Sequence, residues 1–155
     1  MEKADYNIAS VTKALQLIDL LSRKNGQLSV QALAEKLDVS PSNVTRLLQT
    51  MRDAGFVEKS PKTNRYLLSN KFYVVTSNML YSNECIQKYL PVAQRVAAKL
   101  NATVALNSLY GKNAVMLARA GGLYRSEDFS VGNLRPAYCS SAGKVMLSTL
   151  SEQQM

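Results

Sequence analysis

The stretch from residue 40 to residue 55 carries residues that start and stop a helix at its two ends. Ser40 is an N-cap residue, Pro41 occupies the first helical position, and Gly55 supplies the left-handed residue that closes a helix. The apolar residues between them recur every three or four positions and share one face: Val44, Leu47, Leu48 and Met51. The sequence therefore predicts one amphipathic helix that must bury this face.

The opposite face of this helix carries short polar groups, concentrated in its first turns. They are Ser42, Asn43, Thr45, Arg46 and Gln49. The N-terminal end of a recognition helix is the end that enters a DNA major groove, and these side chains suit that position. The solvated surface of an ordinary helix fits the same pattern, so the flanking sequence must distinguish the two interpretations.

Two further helices are predicted before this stretch. Ser10 is placed to cap a helix over residues 11–21, and Ser29 is placed to cap another over residues 30–37. The apolar stripe of the first consists of Val11, Ala14, Leu15, Ile18 and Leu21. Residues 25–26 mark a turn between them, and residues 38–40 form a three-residue turn into the third helix. Two helices joined by such a turn, the second polar outside, are typical of a helix-turn-helix.

A β-hairpin is predicted directly after Gly55, where the apolar period changes from helix to strand. Residues 56–59 and 65–67 alternate, and the turn between them is rich in strand breakers. Lys62 and Arg65 place positive charge at the tip and on the return strand. A hairpin in this position completes a winged helix, and its wing follows the DNA backbone beside the groove that the helix enters.

The second half begins with two more helical patterns. Ser69 is placed to cap a helix over residues 70–81, with Phe72, Tyr73, Val75, Met79 and Leu80 as its apolar positions. This stripe is wide for a linker, which suggests a dimer contact or packing on the chain's own winged helix. Residues 83–100 are also helical in pattern, and Pro91 predicts either a kink or two helices that meet there. The apolar face of this segment is Ile86, Tyr89, Leu90, Ala93, Val96, Ala97 and Leu100.

Two strands over residues 103–110 and 114–120 are predicted to form an antiparallel hairpin around a turn at residues 111–113. A looser region follows, from residue 121 to residue 136. Small residues at 140–143 then lead through Lys144 into a short helix at residues 145–147. A capping-box pattern at residues 151–154 signals the start of another helix where the chain ends, so we expect an incomplete second domain.

Composition excludes several classes of protein. The 155 residues are 46% hydrophobic, which is enough for a packed core and too much for disorder. The chain has no histidine, and Cys85 and Cys139 lie far apart, which excludes a Cys/His zinc site and a histidine-based triad. Neither an apolar run of roughly 18 residues nor a signal core for export occurs. We therefore expect a cytoplasmic protein that has neither metal nor cofactor and is not bound to a membrane.

The net charge of +8 suggests an anionic partner, with nucleic acid the first candidate. Residues 1–82 and residues 83–155 each carry +4, so net charge alone does not locate the binding face. The positions of individual charged side chains have to locate it.

The order of these motifs resembles the isocitrate-lyase-regulator (IclR-type) family of bacterial transcription regulators. The matching segments are residues 10–15, 33–37, 44–48, 55–57 and 65–67 in the winged helix, and Pro91, residues 131–132, Pro136 and residues 139–147 beyond it. Small residues followed by Lys144 make this match more specific than a winged helix alone. The resemblance implies an α+β chain with a winged helix-turn-helix over residues 1–68, a linker helix over residues 69–82 and part of an α/β effector domain over residues 83–155.

The candidate DNA-binding residues lie on the third helix and on the wing. Asn43 and Arg46 have side chains suited to bidentate contacts with adenine and guanine edges. Ser40, Ser42 and Thr45 suit phosphate contacts, and Lys62, Asn64 and Arg65 should reach phosphate or the minor groove. Lys13, which stands where the family tends to have arginine, is expected to reach the DNA backbone from the first helix. Arg46 has an alternative role, because it could pair with an acidic residue of its own domain.

The candidate effector-binding residues are Ser140, Ser141, Ala142 and Gly143. Free amides at a helix N-terminus attract a carboxylate, and the resemblance implies a small-molecule effector, often a carboxylate. Close packing of a helix against a sheet would also require small residues here. A serine nucleophile is disfavoured because no histidine can serve as its base; Lys144 could form a Ser–Lys pair, but no other catalytic signature accompanies it.

Together these features predict an effector-responsive, sequence-specific transcription regulator that is not an enzyme and binds duplex DNA as a homo-oligomer, a dimer or a tetramer. One alternative is a ligand-binding or oligomerisation module whose DNA face is idle. The other is a truncated regulator that binds DNA without effector control.

Overall fold

The computed structural model describes residues 7–23, 26–122 and 130–151. The chain divides into two compact units, Met1–Ser77 and Asn78–Met155, and each is treated separately below. The helices are α1 (Ala9–Ser22), α2 (Val30–Leu37), α3 (Pro41–Asp53), α4 (Lys71–Ser82), α5 (Glu84–Leu100) and α6 (Ser141–Leu147). The strands are β1 (Val57–Lys59), β2 (Tyr66–Leu68), β3 (Val104–Tyr110), β4 (Asn113–Ala120) and β5 (Leu134–Pro136). The predicted α+β class is confirmed, whereas the predicted domain boundaries stay a prediction.

A single hydrophobic core lies between the three helices and the two strands of the first unit. Its buried members are Leu17, Leu21, Leu33, Ala34, Leu37, Val44, Leu48, Met51, Val57 and Tyr66. The inward face predicted for α3 is correct. The stripe predicted for α1 is right in part, because Ala14, Ile18 and Leu21 face the core. It is wrong for Val11 and Leu15, which are exposed, and it lacks Leu17, which is fully buried.

Serine caps fix the starts of α2 and α3 as predicted. The Ser29 hydroxyl accepts a hydrogen bond from the Ala32 backbone N–H at 3.2 Å, and the Ser40 hydroxyl accepts one from Asn43 at 3.3 Å. Ser10 is not a cap: α1 begins at Ala9, two residues before its predicted start, with Ile8 at the N-cap position and no side-chain cap.

The end of α3 follows the left-handed pattern that Gly55 predicts. Gly55 has φ +79°, its N–H donates to the Arg52 carbonyl, and the Phe56 N–H donates to the Met51 carbonyl, each at 2.8 Å. These two bonds are those of a Schellman motif, which satisfies carbonyls that the helix end leaves free.

The wing is an antiparallel pair in which Val57 faces Leu68 and Lys59 faces Tyr66. Each strand is shifted by one residue from its predicted start. Leu28 adds an isolated bridge, because it exchanges backbone hydrogen bonds with Tyr66. Asn25, half of the predicted turn before this bridge, lies outside the described residues.

Two helices follow the wing and are separated at Asn83. The Asn83 side chain caps α5 by accepting a hydrogen bond from the Ile86 N–H, and Asn101 ends α5 in the left-handed conformation with φ +48°. Pro91 lies inside one continuous helix, which excludes two helices meeting there, one of the two predicted alternatives. The helix continues through the proline because packing of its buried face, which includes Ala93, offsets the missing backbone donor.

The second unit contains a three-stranded antiparallel sheet in the order β3-β4-β5. The first two strands and their turn at Gly111 agree with the predicted hairpin, with a bulge after Leu106. The third strand corrects the predicted looser region, since Leu134–Pro136 pairs with the first residues of β4. A strand of three residues has no alternation to detect, and its partner strand defines it. Residues 123–129 of that region, and residues 152–154 of the predicted capping box, lie outside the described residues.

Small side chains form the core of the second unit, where Ala93 and Ala97 of α5 pack on Ala120. Every second residue of β4 is buried, from Ala114 to Ala120. Two positions of the predicted inward face of α5 are wrong, because Val96 and Leu100 are 39% and 65% exposed.

Candidate nucleic-acid interface

The first turns of α3 present a polar, solvent-exposed surface. Burial of Val44 and Leu48 fixes the rotation of the helix and turns its opposite face outward. That face exposes all the helix positions predicted to contact DNA: Ser40, Ser42, Asn43, Thr45 and Arg46. Within the described residues, the Arg46 guanidinium forms no ion pair with an acidic side chain.

Two of the predicted phosphate ligands also hold the helix itself. The Ser40 hydroxyl oxygen caps the first turn, which leaves its hydrogen as a donor to an outside acceptor. The Thr45 hydroxyl donates to the Pro41 carbonyl at 2.9 Å, so its oxygen remains only an acceptor. Further along, Gln49 donates to Asp53 at 2.7 Å. Within the described residues, the side chains of Asn43 and Arg46 take part in no such bond.

The wing places its three predicted DNA contacts in solvent. Lys62, Asn64 and Arg65 are exposed, and Asn64 adopts φ +55° at the tip. The Ser60 N–H donates to the Arg65 carbonyl at 2.8 Å and closes the hairpin below them. Lys62 and Arg65 thus stand on a closed turn and are available to an anion.

Lys13 is directed toward the protein. Its ammonium donates to the Leu37 carbonyl, the last of α2, at 2.6 Å, and the side chain is half-buried. Local sequence patterns do not reveal this contact, because Lys13 and Leu37 are 24 residues apart. In the structure, the Leu37 carbonyl therefore competes with the DNA backbone for the Lys13 ammonium.

A groove of about 640 Å³ separates the start of α1 from α3. Its walls are mainly apolar, and Leu15 and Leu47 contribute to them. Lys13, Asn43 and Arg46 line the same groove, so the structure brings three of the predicted residues together.

A cluster at the end of α3 was missed by the sequence analysis. Lys71 donates to the Ala54 carbonyl at 2.7 Å and lies 4.4 Å from the centroid of the Phe56 ring. Phe72 packs edge-on against Phe56 with ring centroids 5.3 Å apart, and the buried Ser69 donates to the Gly55 carbonyl. No local pattern predicts this cluster, because Lys71 lies 17 residues after Ala54 and beyond the hairpin.

The predicted effector turn is a capped helix start in the second unit. The Ser140 hydroxyl accepts from the Gly143 N–H at 3.0 Å, and its carbonyl accepts from the Lys144 N–H at 2.9 Å. A Cβ on Gly143 would lie 2.1 Å from the Ala137 carbonyl oxygen, so packing by itself requires glycine there. Ser141 is exposed and Ala142 half-buried. The geometry thus gives the packing explanation direct support, and the effector role stays a prediction.

Two buried hydroxyl oxygens of the second unit, on Tyr89 and Thr103, have no hydrogen-bond partner within the described residues. Burial raises the pKa of the Tyr89 hydroxyl above its usual value. Among the described residues, no group of three or more Cys, Asp or Glu side chains is arranged to bind a metal ion. None of the described helices has the length and apolar character needed to cross a membrane.

Family models match both halves of the chain. One, described as the IclR helix-turn-helix domain, matches residues 10–61, and another, described as the bacterial transcriptional regulator IclR C-terminal domain, matches residues 77–155. The acetate operon repressor of Salmonella typhimurium is 27% identical over 152 residues, which cover 96% of this chain and 55% of that protein.

Solved structures share the fold. An IclR transcriptional regulator from Alicyclobacillus acidocaldarius has a TM-score of 0.77 at 26% identity, covering 96% of this chain and 61% of that one. An IclR homologue from Microbacterium hydrocarbonoxydans, solved in complex with 4-hydroxybenzoate, has a TM-score of 0.72 at 17% identity, covering 94% and 60%. The chain spans less than two thirds of the length of these relatives.

Proposed function

Because the chain belongs to the IclR family of bacterial transcriptional regulators, we propose that it binds duplex DNA with sequence specificity. The observation that carries this proposal is the capped recognition helix α3, whose exposed N-terminal turns carry Asn43 and Arg46. The basic wing follows directly. The proposal places the chain in the cytoplasm, where bacterial DNA lies, and includes no catalytic step.

Base contacts are assigned to Asn43 and Arg46, and backbone contacts to the wing residues Lys62, Asn64 and Arg65. Amide and guanidinium groups match the edges of adenine and guanine in the major groove, whereas a hairpin beside the groove meets phosphates. Ser40 and Ser42 lie at the start of α3, where hydroxyl groups can donate to the phosphates that flank the groove. The Thr45 hydroxyl could donate to a phosphate only if it released its bond to the Pro41 carbonyl.

Selection of bound sequences from a random DNA pool tests this function and supplies an operator for measurement. Arg46→Ala should weaken operator binding by roughly 1–3 kcal/mol and relax the sequence at one position. Arg52→Ala is the matched control, because Arg52 is exposed on the last turn of the same helix, away from the proposed groove end. Equal binding by the Arg46 variant and the wild type would contradict the assignment.

A salt titration of DNA binding separates this function from a ligand-binding or oligomerisation module with an idle DNA face. Neutralising phosphates releases counterions, so the observed affinity should fall steeply as salt rises. A module with an idle face would show no such binding to the selected sequences.

We also propose that the chain forms a homo-oligomer through α4. None of its residues is buried, and Tyr73, Val75 and Met79 are 75%, 47% and 62% exposed. Phe72 contributes less, because it already packs on Phe56. Sedimentation should show that a Val75→Asp, Met79→Asp double variant dissociates, whereas a Thr76→Asp, Asn78→Asp variant does not. A folded Val75/Met79 variant with unchanged association would exclude this contact.

A small carboxylate is the proposed effector class. Family membership supports it, as does the solved relative that holds 4-hydroxybenzoate. In this chain, the backbone amides at the start of α6, next to Ser140, Ser141, Ala142 and Gly143, are the candidate ligands. Titration calorimetry with aromatic and aliphatic carboxylates tests the class. Ala142→Leu should abolish the heat of carboxylate binding, whereas Leu150→Ala should not.

A further inference from the structure

The recognition helix is bracketed by two lysine ammonium groups that bind main-chain carbonyls. Lys13, on α1, donates to Leu37 at the end of α2, three residues before the cap of α3. Lys71, at the start of α4, donates to Ala54 at the end of α3. Both lysines come from outside the helix-turn-helix pair, and each satisfies a carbonyl at a helix C-terminus.

We propose that Lys13 and Lys71 are positioning residues that hold the two ends of the recognition helix, and that neither binds DNA phosphate. The turn from Leu37 to Ser40 is called the entrance of the helix, and its C-terminal end at Ala54 and Gly55 is called the exit. The proposal rests on the proposed DNA-binding function, because it concerns how α3 is presented to the groove. It replaces the expectation that Lys13 contacts the DNA backbone.

The need for a cap at the entrance follows from the length of α2. Its eight residues are too few to hold a helix by backbone bonds alone. Asp38 closes it in the left-handed conformation, with φ 52°, and the N–H groups of Asp38 and Val39 bind the Glu35 and Ala34 carbonyls. The Leu37 carbonyl remains at the negative end of the helix, where a cation is stabilising. The Lys13 ammonium supplies that cation and fixes the turn that leads to Ser40.

The exit is held by groups that belong to the next element. Besides Lys71, the Ser69 hydroxyl binds the Gly55 carbonyl and also accepts the Lys71 N–H at 3.2 Å. The Phe56 ring lies under the Lys71 ammonium and against Phe72. A charge-assisted bond combined with a cation–π contact is directional, so it restricts rotation of the helix end.

The consequence for binding concerns specificity more than total affinity. Asn43 and Arg46 lie in the first two turns after the entrance, and base contacts require their placement to within a fraction of an ångström. Phosphate contacts tolerate more displacement, because they depend mainly on charge. Loss of either lysine should therefore lower discrimination between operator and random DNA.

Lys62 provides the matched comparison. It is an exposed lysine of the same unit that forms no hydrogen bond or ion pair within the described part of the chain. A lysine that neutralises one phosphate contributes about 0.9 to the slope of log affinity against log salt. A lysine that only positions the helix contributes nothing to that slope.

The experiment measures DNA affinity of the full chain across salt concentrations for Lys13→Met, Lys71→Met and Lys62→Met. Lys62→Met should make the slope of log affinity against log salt shallower by about 0.9 and leave the ratio of operator to random affinity unchanged. The other two should keep the wild-type slope and lose about tenfold in that ratio. A slope reduced by about 0.9 in Lys13→Met or Lys71→Met, with the ratio intact, would overturn the proposal for that residue.

Arginine variants and melting temperatures complete the test. The methionine variants should lower the Tm by several degrees. Lys13→Arg and Lys71→Arg keep a donor cation, so they should show the wild-type Tm and the wild-type ratio of operator to random affinity. Unchanged Tm and unchanged ratio in the methionine variants would also overturn the proposal. Failure of the wild-type chain to bind any DNA contradicts the proposed function instead, and the Tm comparison still decides whether the lysines hold the helix ends.

Discussion

The two units of the chain build their cores from side chains of different size. In the first unit the fully buried side chains are large, namely Leu17, Leu33, Val44 and Leu48. In the second unit the most deeply buried residues are alanines, among them Ala93 and Ala137, each 1% exposed. Because the hydrophobic free energy scales with the apolar area removed from water, the first unit gains more from each buried residue. We infer that the winged helix is the more stable of the two.

Limited proteolysis should give the largest contrast between the units. Transient opening exposes cleavage sites in proportion to local instability, so the second unit should be cut first. A resistant fragment near residues 8–82 should accumulate, as mass spectrometry would show. Equal protection of residues 101–150 at low protein concentration would contradict the inference that the first unit is the more stable.

Truncation of a large core residue tests the source of this stability. Leu48→Ala should lower the free energy of unfolding of the first unit by about 2–5 kcal/mol, because it removes buried area and leaves a cavity. Ala97→Gly in the second unit should cost only about 1 kcal/mol, mostly through helix propensity. Urea denaturation measures both, with the exposed Leu15→Ala as a control expected within about 0.5 kcal/mol of the wild type.

The second unit is instead sensitive to added volume. Gly143→Ala would drive a methyl group into the Ala137 backbone and should destabilise this unit by about 1–3 kcal/mol. Gly122→Ala is the control, because nothing lies within 4 Å of a Cβ built there. Hydrogen exchange resolved by unit should locate the loss in residues 101–151; no loss in the Gly143 variant would show that α6 can move away from Ala137.

The smallest expected difference in stability is between variants of Ser10 and Ser40, two serines that the sequence predicts equally as N-caps. Ser40→Ala removes the cap of α3 and should cost about 1 kcal/mol. Ser10→Ala lies inside α1 and should be neutral or slightly stabilising, because alanine is the better helix former. Thermal unfolding compares the two; equal losses would mean that Ser10 caps α1 in solution after all.

The candidate site was predicted best where the local sequence determines it. The N-cap serines of α2 and α3, Gly55, the inward face of α3 and the hairpin turn were each recognisable within a few residues. On the wing, a charged turn between two short alternating runs was enough to predict the exposed Lys62 and Arg65. DNA contact by these residues stays a prediction.

The α1 stripe shows why periodicity alone was insufficient. This helix has apolar residues on several sides, so the set that includes Leu15 and the set that includes Leu17 both fit helical spacing. Packing against α2 and α3 selects the second set, with Leu17 fully buried. The same limitation applies to Val96 and Leu100 on α5, which fit the apolar stripe but remain exposed.

The amino-acid sequence by itself determined the helices and the hairpin of the winged helix-turn-helix, because caps, turns and amphipathic periods depend on neighbours a few residues apart. Only the tertiary structure decided the partners of Lys13 and Lys71, the pairing of β5 with β4 and the close approach of Gly143 to Ala137. Each of these depends on groups that the fold brings together. The Lys13 bond spans 24 residues and the Lys71 bond spans 17, distances at which sequence spacing carries no geometric information.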